Sequence, residues 1–198
     1  MIRYVPVNDA TPNAHRDGFA RVYRDAFAEE PYEENYTFEE VIDTVWHPHR
    51  QDGIIALALD TSEVVGLGCA LPLEKSPEDV QAFLAQRRQD GMFPVDPATC
   101  WYMSELAVRE SYRRRGIGLN LVRQRLQEIV RRGDKHYVFR TASEKSKSIG
   151  LYQRLGSTEI PVLQDVSASD QVQVNGSEST ARVFLYGSCE AALEKSLA

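Results

Sequence analysis

The stretch Glu105-Leu-Ala-Val-Arg-Glu-Ser-Tyr-Arg-Arg-Arg-Gly-Ile-Gly-Leu119 constrains the fold of this chain more than any other. An apolar strand runs into a short polar turn, then three arginines, then a Gly-Ile-Gly that opens a helix. The first amides of a helix have no partner within it, and the helix dipole places partial positive charge there. Glycines let an anion approach that backbone closely, and arginines add full charge. The unit therefore reads as strand, turn and helix built around a diphosphate cradle.

Two common diphosphate motifs are excluded. A P-loop requires Gly-x-x-x-x-Gly-Lys-Ser/Thr, and no Lys-Ser/Thr follows Gly118. A dinucleotide fingerprint requires a third glycine where this chain has Leu121. What remains, Arg113-Arg114-Arg115-Gly116-Ile117-Gly118, resembles the Arg/Gln-x-x-Gly-x-Gly/Ala signature of the GNAT superfamily of N-acetyltransferases. The Leu106-Ala107-Val108 strand end before it and the amphipathic helix after it fit that family. So does a second match, Leu151-Tyr152-Gln-Arg-Leu-Gly156. The resemblance is tightest between Tyr102 and Ile160.

The bulk numbers bound the rest. A chain of 198 residues with 42% hydrophobic residues suits a single domain spanning 1–198. No apolar run of about 18 residues exists, so no membrane span or membrane partner is expected. No basic region followed by an apolar stretch opens the chain, so no secretory signal is expected. Cys69, Cys100 and Cys189 are widely spaced, and His47 and His49 merely flank Pro48, so neither disulfides nor a metal site is expected. These features suit a cytoplasmic protein with reduced thiols. A net charge of −6 speaks against nucleic-acid binding. The charge is unevenly spread. Residues 113–132 hold seven arginines, Arg125 among them, and residues 29–43 hold seven acids and no base.

Patterning gives the order of elements. Residues 2–7 alternate as a strand, and 14–28 carry apolar residues at helical spacing. Glu-Glu-Pro-Tyr breaks that helix. Thr37 and Glu40 form a capping box for a second helix, which is expected to stop before Pro48. Strands over 53–59 and 64–73 form a hairpin, with Gly66 and Gly68 marking a bulge or a close backbone approach. Ser76 caps an inserted helix within an insertion of about 76–98. A central strand over 99–108, a helix over 116–132 and a strand over 136–141 make a parallel pair with a right-handed crossover. In that helix Leu119, Val122, Leu126, Ile129 and Val130 form the apolar face. A short helix over 146–155, a strand over 157–166 containing Pro161, a polar loop over 167–179, a last strand over 181–186 and a tail helix over about 190–197 follow. This mixed α/β order matches the GNAT fold: six to seven strands flanked by helices, with a splayed parallel pair at the centre.

The resemblance implies the chemistry. Acetyl-CoA would lie between the splayed strands, its pantetheine arm pairing with the backbone of Leu106, Ala107 and Val108. Its diphosphate would rest on Arg113, Arg114, Arg115, Gly116, Ile117, Gly118 and Leu119. Tyr152 would protonate the departing thiolate. The family often has Asn and Ala where this chain has Lys145 and Ser148, so the chain departs from the family pattern at both places. The attacking amine needs a base or a water chain, and Glu105 is the carboxylate best placed in sequence. Strand alternation puts Glu105 with Met103 and Ala107 on one face, opposite Ser104 and Leu106. Backbone amides near Val108 can hold the oxyanion. The acidic segment lies where the family builds its acceptor site. It either attracts a small cationic amine or forms a solvated helix start whose acids complement the dipole. The implied activity is acetyl transfer from acetyl-CoA, without a metal, to a primary amine by direct attack. The alternative is an acyl-CoA-binding sensor without catalysis. A homodimer is compatible with either.

Overall fold

The computed structural model describes residues 1–8, 10–30, 32–143, 146, 148–165 and 181–197. Pro31, Lys145 and the expected polar loop over 167–179 lie outside them. One twisted sheet of eight strands organises the chain, in the order β1-β2-β3-β4-β5-β8-β6, with β7 also paired to β8. The strands are β1 (Ile2–Pro6), β2 (Ile54–Asp60), β3 (Glu63–Pro72), β4 (Cys100–Val108), β5 (His136–Ala142), β6 (Thr158–Glu159), β7 (Gln164–Asp165) and β8 (Ala181–Ser188). The single strand expected over 157–166 is thus two short ones, β6 and β7. Pro161 between them has no N–H to donate to a ladder.

Helices cover both faces. On one face lie α1 (Asn13–Phe27), α2 (Phe38–Val41) and α3 (His47–Asp52), burying Phe19, Val22, Val45 and Trp46 against Leu57, Leu67 and Ala107. The Thr37–Glu40 capping box forms as expected. The helix does not stop before Pro48. A π-helical turn over Ile42–Trp46 leads into α3, where Pro48 falls in the first turn and its missing N–H costs nothing. On the same face α4 (Glu78–Gln89), the inserted helix, packs Val80 and Leu84 with Phe93 onto Tyr102, Val138 and Phe184. Ser76 does not cap it. Its hydroxyl turns back to donate to the Leu73 carbonyl.

The opposite face carries α5 (Ile117–Arg131), α6 (Ile149–Arg154) and α7 (Cys189–Lys195). Ile117, Leu121, Val122, Leu126 and Ile129 of α5 are buried, and so is Arg125. The buried stripe is therefore rotated from the expected one, with Leu119 and Val130 at its partly covered margin. Gly68 on β3 makes this possible. A Cβ there would come within 2.8 Å of the Arg125 Nε, so the space above Gly68 is filled by the guanidinium. No helix among the described residues is long and apolar enough to cross a membrane.

Candidate active site

The central strands separate. β4 and β5 pair in parallel only at Cys100–His136, Trp101–Tyr137 and Tyr102–Val138. Beyond Tyr102 the two strands part, and the edge of β4 facing β5 is open. On its other edge β4 stays paired with β3 through Gly66–Val108. The amide of Arg109 donates to the Val65 carbonyl at 2.9 Å. Residues two apart on an antiparallel strand share an edge, so Ala107 and Glu105 also turn their amides to β3. Leu106 and Val108 turn theirs into the gap.

A bulge sits at the point of separation. Cys69 opposes Glu105 and Leu71 opposes Tyr102, so Ala70 alone faces both Met103 and Ser104. The extra residue overturns the alternation expected from sequence. Met103 packs with Leu126 and Ile129 on the α5 side. Ser104 bonds to His49 of α3, and Ala107 packs with Phe19 of α1, on the other side. Glu105 faces Tyr23 of α1. Glu105 and Ala107 thus share a face with Ser104, not with Met103.

Two buried polar side chains hold the bulge from opposite faces. His49 Nδ1 lies 2.6 Å from the Val45 carbonyl, which can only accept, so Nδ1 carries the proton. Nε2 then accepts from the Ser104 hydroxyl at 2.7 Å. Burial first, and the Arg125 charge in addition, push the His49 pKa down to about 4, so the ring is neutral at neutral pH. Arg125 is fully buried on α5. It donates to the carbonyls of Leu121 at 3.2 Å, Cys69 at 2.8 Å and Glu105 at 3.0 Å, and to the Tyr152 hydroxyl at 3.3 Å. The sequence pattern held one signal for it. Arg125 stands four residues after Leu121 and four before Ile129, on the apolar side of α5.

Glu105 and Tyr152 lie on opposite faces of the sheet, joined through Arg125. The Tyr152 ring is buried, stacked on Phe139 of β5 at 3.7 Å between centroids. Its hydroxyl is tied to the guanidinium that also touches the open strand. Glu105 is half-buried and has a pKa raised to about 7. Burial is the main cause, and the Glu34 charge adds to it, while Arg140, Arg125 and the Tyr23 hydroxyl oppose. Glu34 is raised as well, chiefly by burial, and Tyr36 bonds to it and to Tyr23. Two carboxyls and two phenols thus gather on the α1 face of the gap. Sequence pointed to Glu34 only as part of the acidic segment; its gathering with Tyr23 and Tyr36 around Glu105 was not foreseen, because these residues are spread over separate elements.

A cavity of about 660 Å³ opens along the gap. Leu106, Ala107, Val108, Arg113, Arg114, Gly116, Ile117, Gly118 and Leu119 line it, with Phe27 and Tyr32 at one wall and Ser146, Ser148 and Leu151 at the other. Glu105, Tyr152 and Arg115 are not among the lining residues. Arg115 turns away, donating to the Ser111 carbonyl and lying 5.1 Å over the Tyr112 ring. The Arg113 side chain is committed to the fold. It forms two hydrogen bonds with Glu29, at 2.7 and 2.8 Å, and one with the Val108 carbonyl at 2.9 Å. Its amide donates to the Glu110 carbonyl at 3.1 Å, so the anion-binding donors of the loop begin after Arg113. The loop is bent by two left-handed residues, Gly116 at φ 77° and Arg114 at φ 61°. That conformation is free for glycine and costs about 1–2 kcal/mol for arginine, and such strain gathers at binding loops.

Three of the seven acids in the acidic segment have defined partners. Glu29 holds Arg113, Glu40 closes the α2 cap, and Glu34 joins the tyrosine cluster. Opposite Glu34 and Glu105 stand Arg140 of β5, itself paired with Asp79 of the inserted helix, and Tyr102. The insertion therefore walls this side of the gap.

The profile of the acetyltransferase (GNAT) family matches residues 17–157, and the chain belongs to that family. Among solved structures, a ribosomal-protein-alanine N-acetyltransferase from Brucella melitensis superposes with a TM-score of 0.66 at 17% identity, covering 95% of this chain and 99% of its own. A GNAT family acetyltransferase from Elizabethkingia anophelis with acetyl-CoA bound gives 0.58 at 19% identity, covering 94% and 97%. An acetyltransferase from Bacillus subtilis in complex with CoA gives 0.56 at 16%, covering 95% and 99%. At these identities the likeness is one of fold. No curated protein sequence matches significantly.

Proposed function

We propose that this chain, one domain throughout, is an N-acetyltransferase that moves an acetyl group from acetyl-CoA to the primary amine of a small cationic molecule. The observation that carries this reading is the open edge of β4, running from the bulge directly into the loop over 113–119. The pantetheine arm would pair with the gap-facing backbone of Leu106 and Val108, as an added strand does. The diphosphate would rest on the loop amides at the start of α5, with Arg114 beside it.

The amine would enter from the α1 face, drawn by Glu34 and Glu105. An ammonium cannot attack, so it must first lose a proton. Glu105, poised near pH 7, takes that proton directly or through water. The free amine adds to the thioester carbonyl carbon, and a gap-facing amide near Val108 holds the oxygen. The carbon–sulfur bond then breaks, and the nitrogen gives up its surplus proton to water, which makes good the one Tyr152 supplies. The thiolate leaves on the α5 face, where the Tyr152 hydroxyl, oriented by Arg125, returns a proton to it. Base and acid thus work from the two sides of one gap.

Thermal shift with acetyl-CoA, CoA and ATP, followed by thiol release against a panel of amines, tests this directly. A ligand that binds only the folded state raises the midpoint by mass action. A rise with CoA esters and not ATP, together with thiol release on polyamines or aminoglycosides, is expected. Stabilisation with no turnover on any amine would favour the acyl-CoA sensor, and no stabilisation by any CoA ester would refute the donor site.

A further inference from the structure

Beyond the loop, the cavity is bordered by cations that come from its far wall. Arg154 ends α6 and Lys195 ends α7, and both line the same cavity as Arg114. Among the described residues none of these three forms an ion pair. The contrast with their neighbours is sharp. Arg113 is closed on Glu29, and Arg131 and Arg132 are closed on Glu128. In a chain of net charge −6, unneutralised cations on one wall of a cavity favour an anion there.

The far wall is also shaped for them. The turn after α6 ends in Gly156 at φ 81°, and a Cβ there would run into the Lys195 side chain. The lysine therefore crosses the bare backbone of this turn to reach the cavity. Arg154 is steadied by its Nε donating to the Gly150 carbonyl at 3.1 Å, which leaves its terminal nitrogens for a ligand. Ser196 adds a hydroxyl on the same wall.

The diphosphate does not account for this pair, because the loop amides and Arg114 already meet its charge from another element. CoA esters carry a further phosphate, a monoester on the ribose, with close to two negative charges near neutral pH. We propose that Lys195 and Arg154 form a subsite for that ribose phosphomonoester, so that the tail helix α7 selects CoA esters over donors lacking it. The inference rests on the donor site proposed above.

Titration of CoA and of 3′-dephospho-CoA into the wild-type protein, Lys195→Met, Arg154→Gln and Lys195→Arg separates the possibilities. An exposed charge contact is worth up to about fivefold in affinity, so the wild type should prefer CoA by roughly fivefold or more, and less so at high salt. Lys195→Met and Arg154→Gln should each weaken CoA while leaving dephospho-CoA unchanged, and Lys195→Arg should keep the preference. Because the ratio is taken on one protein, a general loss of stability cancels from it. Equal affinities in the wild type, or equal losses for both ligands in the variants, would overturn the subsite while leaving the donor site standing. Binding of neither ligand by the wild type would refute the donor site itself.

Discussion

The two ends of β4 meet the same demand in opposite ways. At the bulge the backbone leaves its ladder, and buried side chains close on it: Arg125 on the carbonyls of Cys69 and Glu105, His49 on the Ser104 hydroxyl. A few residues further on, the backbone leaves its ladder again, and only the Val108 carbonyl is met, by Arg113, while the amides are left open. The amides of Leu106 and Val108 face the gap, and the loop over 114–119 presents its own to the cavity. Buried polar groups must be paired, by the fold or by something the fold receives. The closed end fixes geometry, and the open end marks where a ligand belongs.

Changes at the closed end should have the larger effects. Glu105→Gln keeps the side-chain shape and removes the base, so kcat/KM should fall by about 10²–10⁴-fold in a thiol-release assay. Its stability should move the other way. Burial raises the Glu105 pKa to about 7, so the folded protein holds a proton that the unfolded chain releases. Stability is lost as pH rises from the ordinary carboxylate range through about 7. Glu105→Gln removes that loss, and should melt higher than the wild type at pH 8, by up to about 3 kcal/mol, but not at pH 4. A variant both inactive and destabilised at pH 8 would show Glu105 to be structural.

Arg125→Met removes the clamp while keeping much of the volume. It leaves buried carbonyls and the Tyr152 hydroxyl without their donor, and should cost about 2–4 kcal/mol by chemical denaturation. Arg125→Lys, which keeps the charge but not the fork, should recover only part of this. At the open end the costs should be smaller in stability and directed at binding. Gly116→Ala places a Cβ on a left-handed residue, at about 1 kcal/mol or more, and should weaken CoA binding in calorimetry as the loop relaxes. Tyr152→Phe should have the smallest effect on the chemistry. A thiol is a fair leaving group, so kcat should fall by about tenfold or less with the affinity for acetyl-CoA unchanged.

The same contrast explains what the sequence could reveal. The open end was legible because its determinants are local: an apolar strand, arginines, a Gly-x-Gly and an amphipathic helix stand within one short stretch. The mixed sheet and its parallel pair followed from the order of elements. The closed end was hidden because it is assembled from afar. Arg125 can be buried only because Gly68, on another strand, leaves it room. One inserted residue at Met103–Ser104 switches the faces that strict alternation assigns. His49 reaches Ser104 only because the helix passes through Pro48 by a π-helical turn instead of ending. Glu34, Tyr36 and Tyr23 become one cluster only when α1 and the segment after it fold over β4.

Residue-resolved amide hydrogen exchange with and without acetyl-CoA tests the central claim most directly. Occupation of the gap should protect the amides of Leu106 and Val108 strongly, and those of the loop over 114–119 as well. The amides of Glu105 and Ala107, already bonded to β3, should scarcely change. A complex in which acetyl-CoA binds while Leu106 and Val108 exchange as freely as before would contradict it.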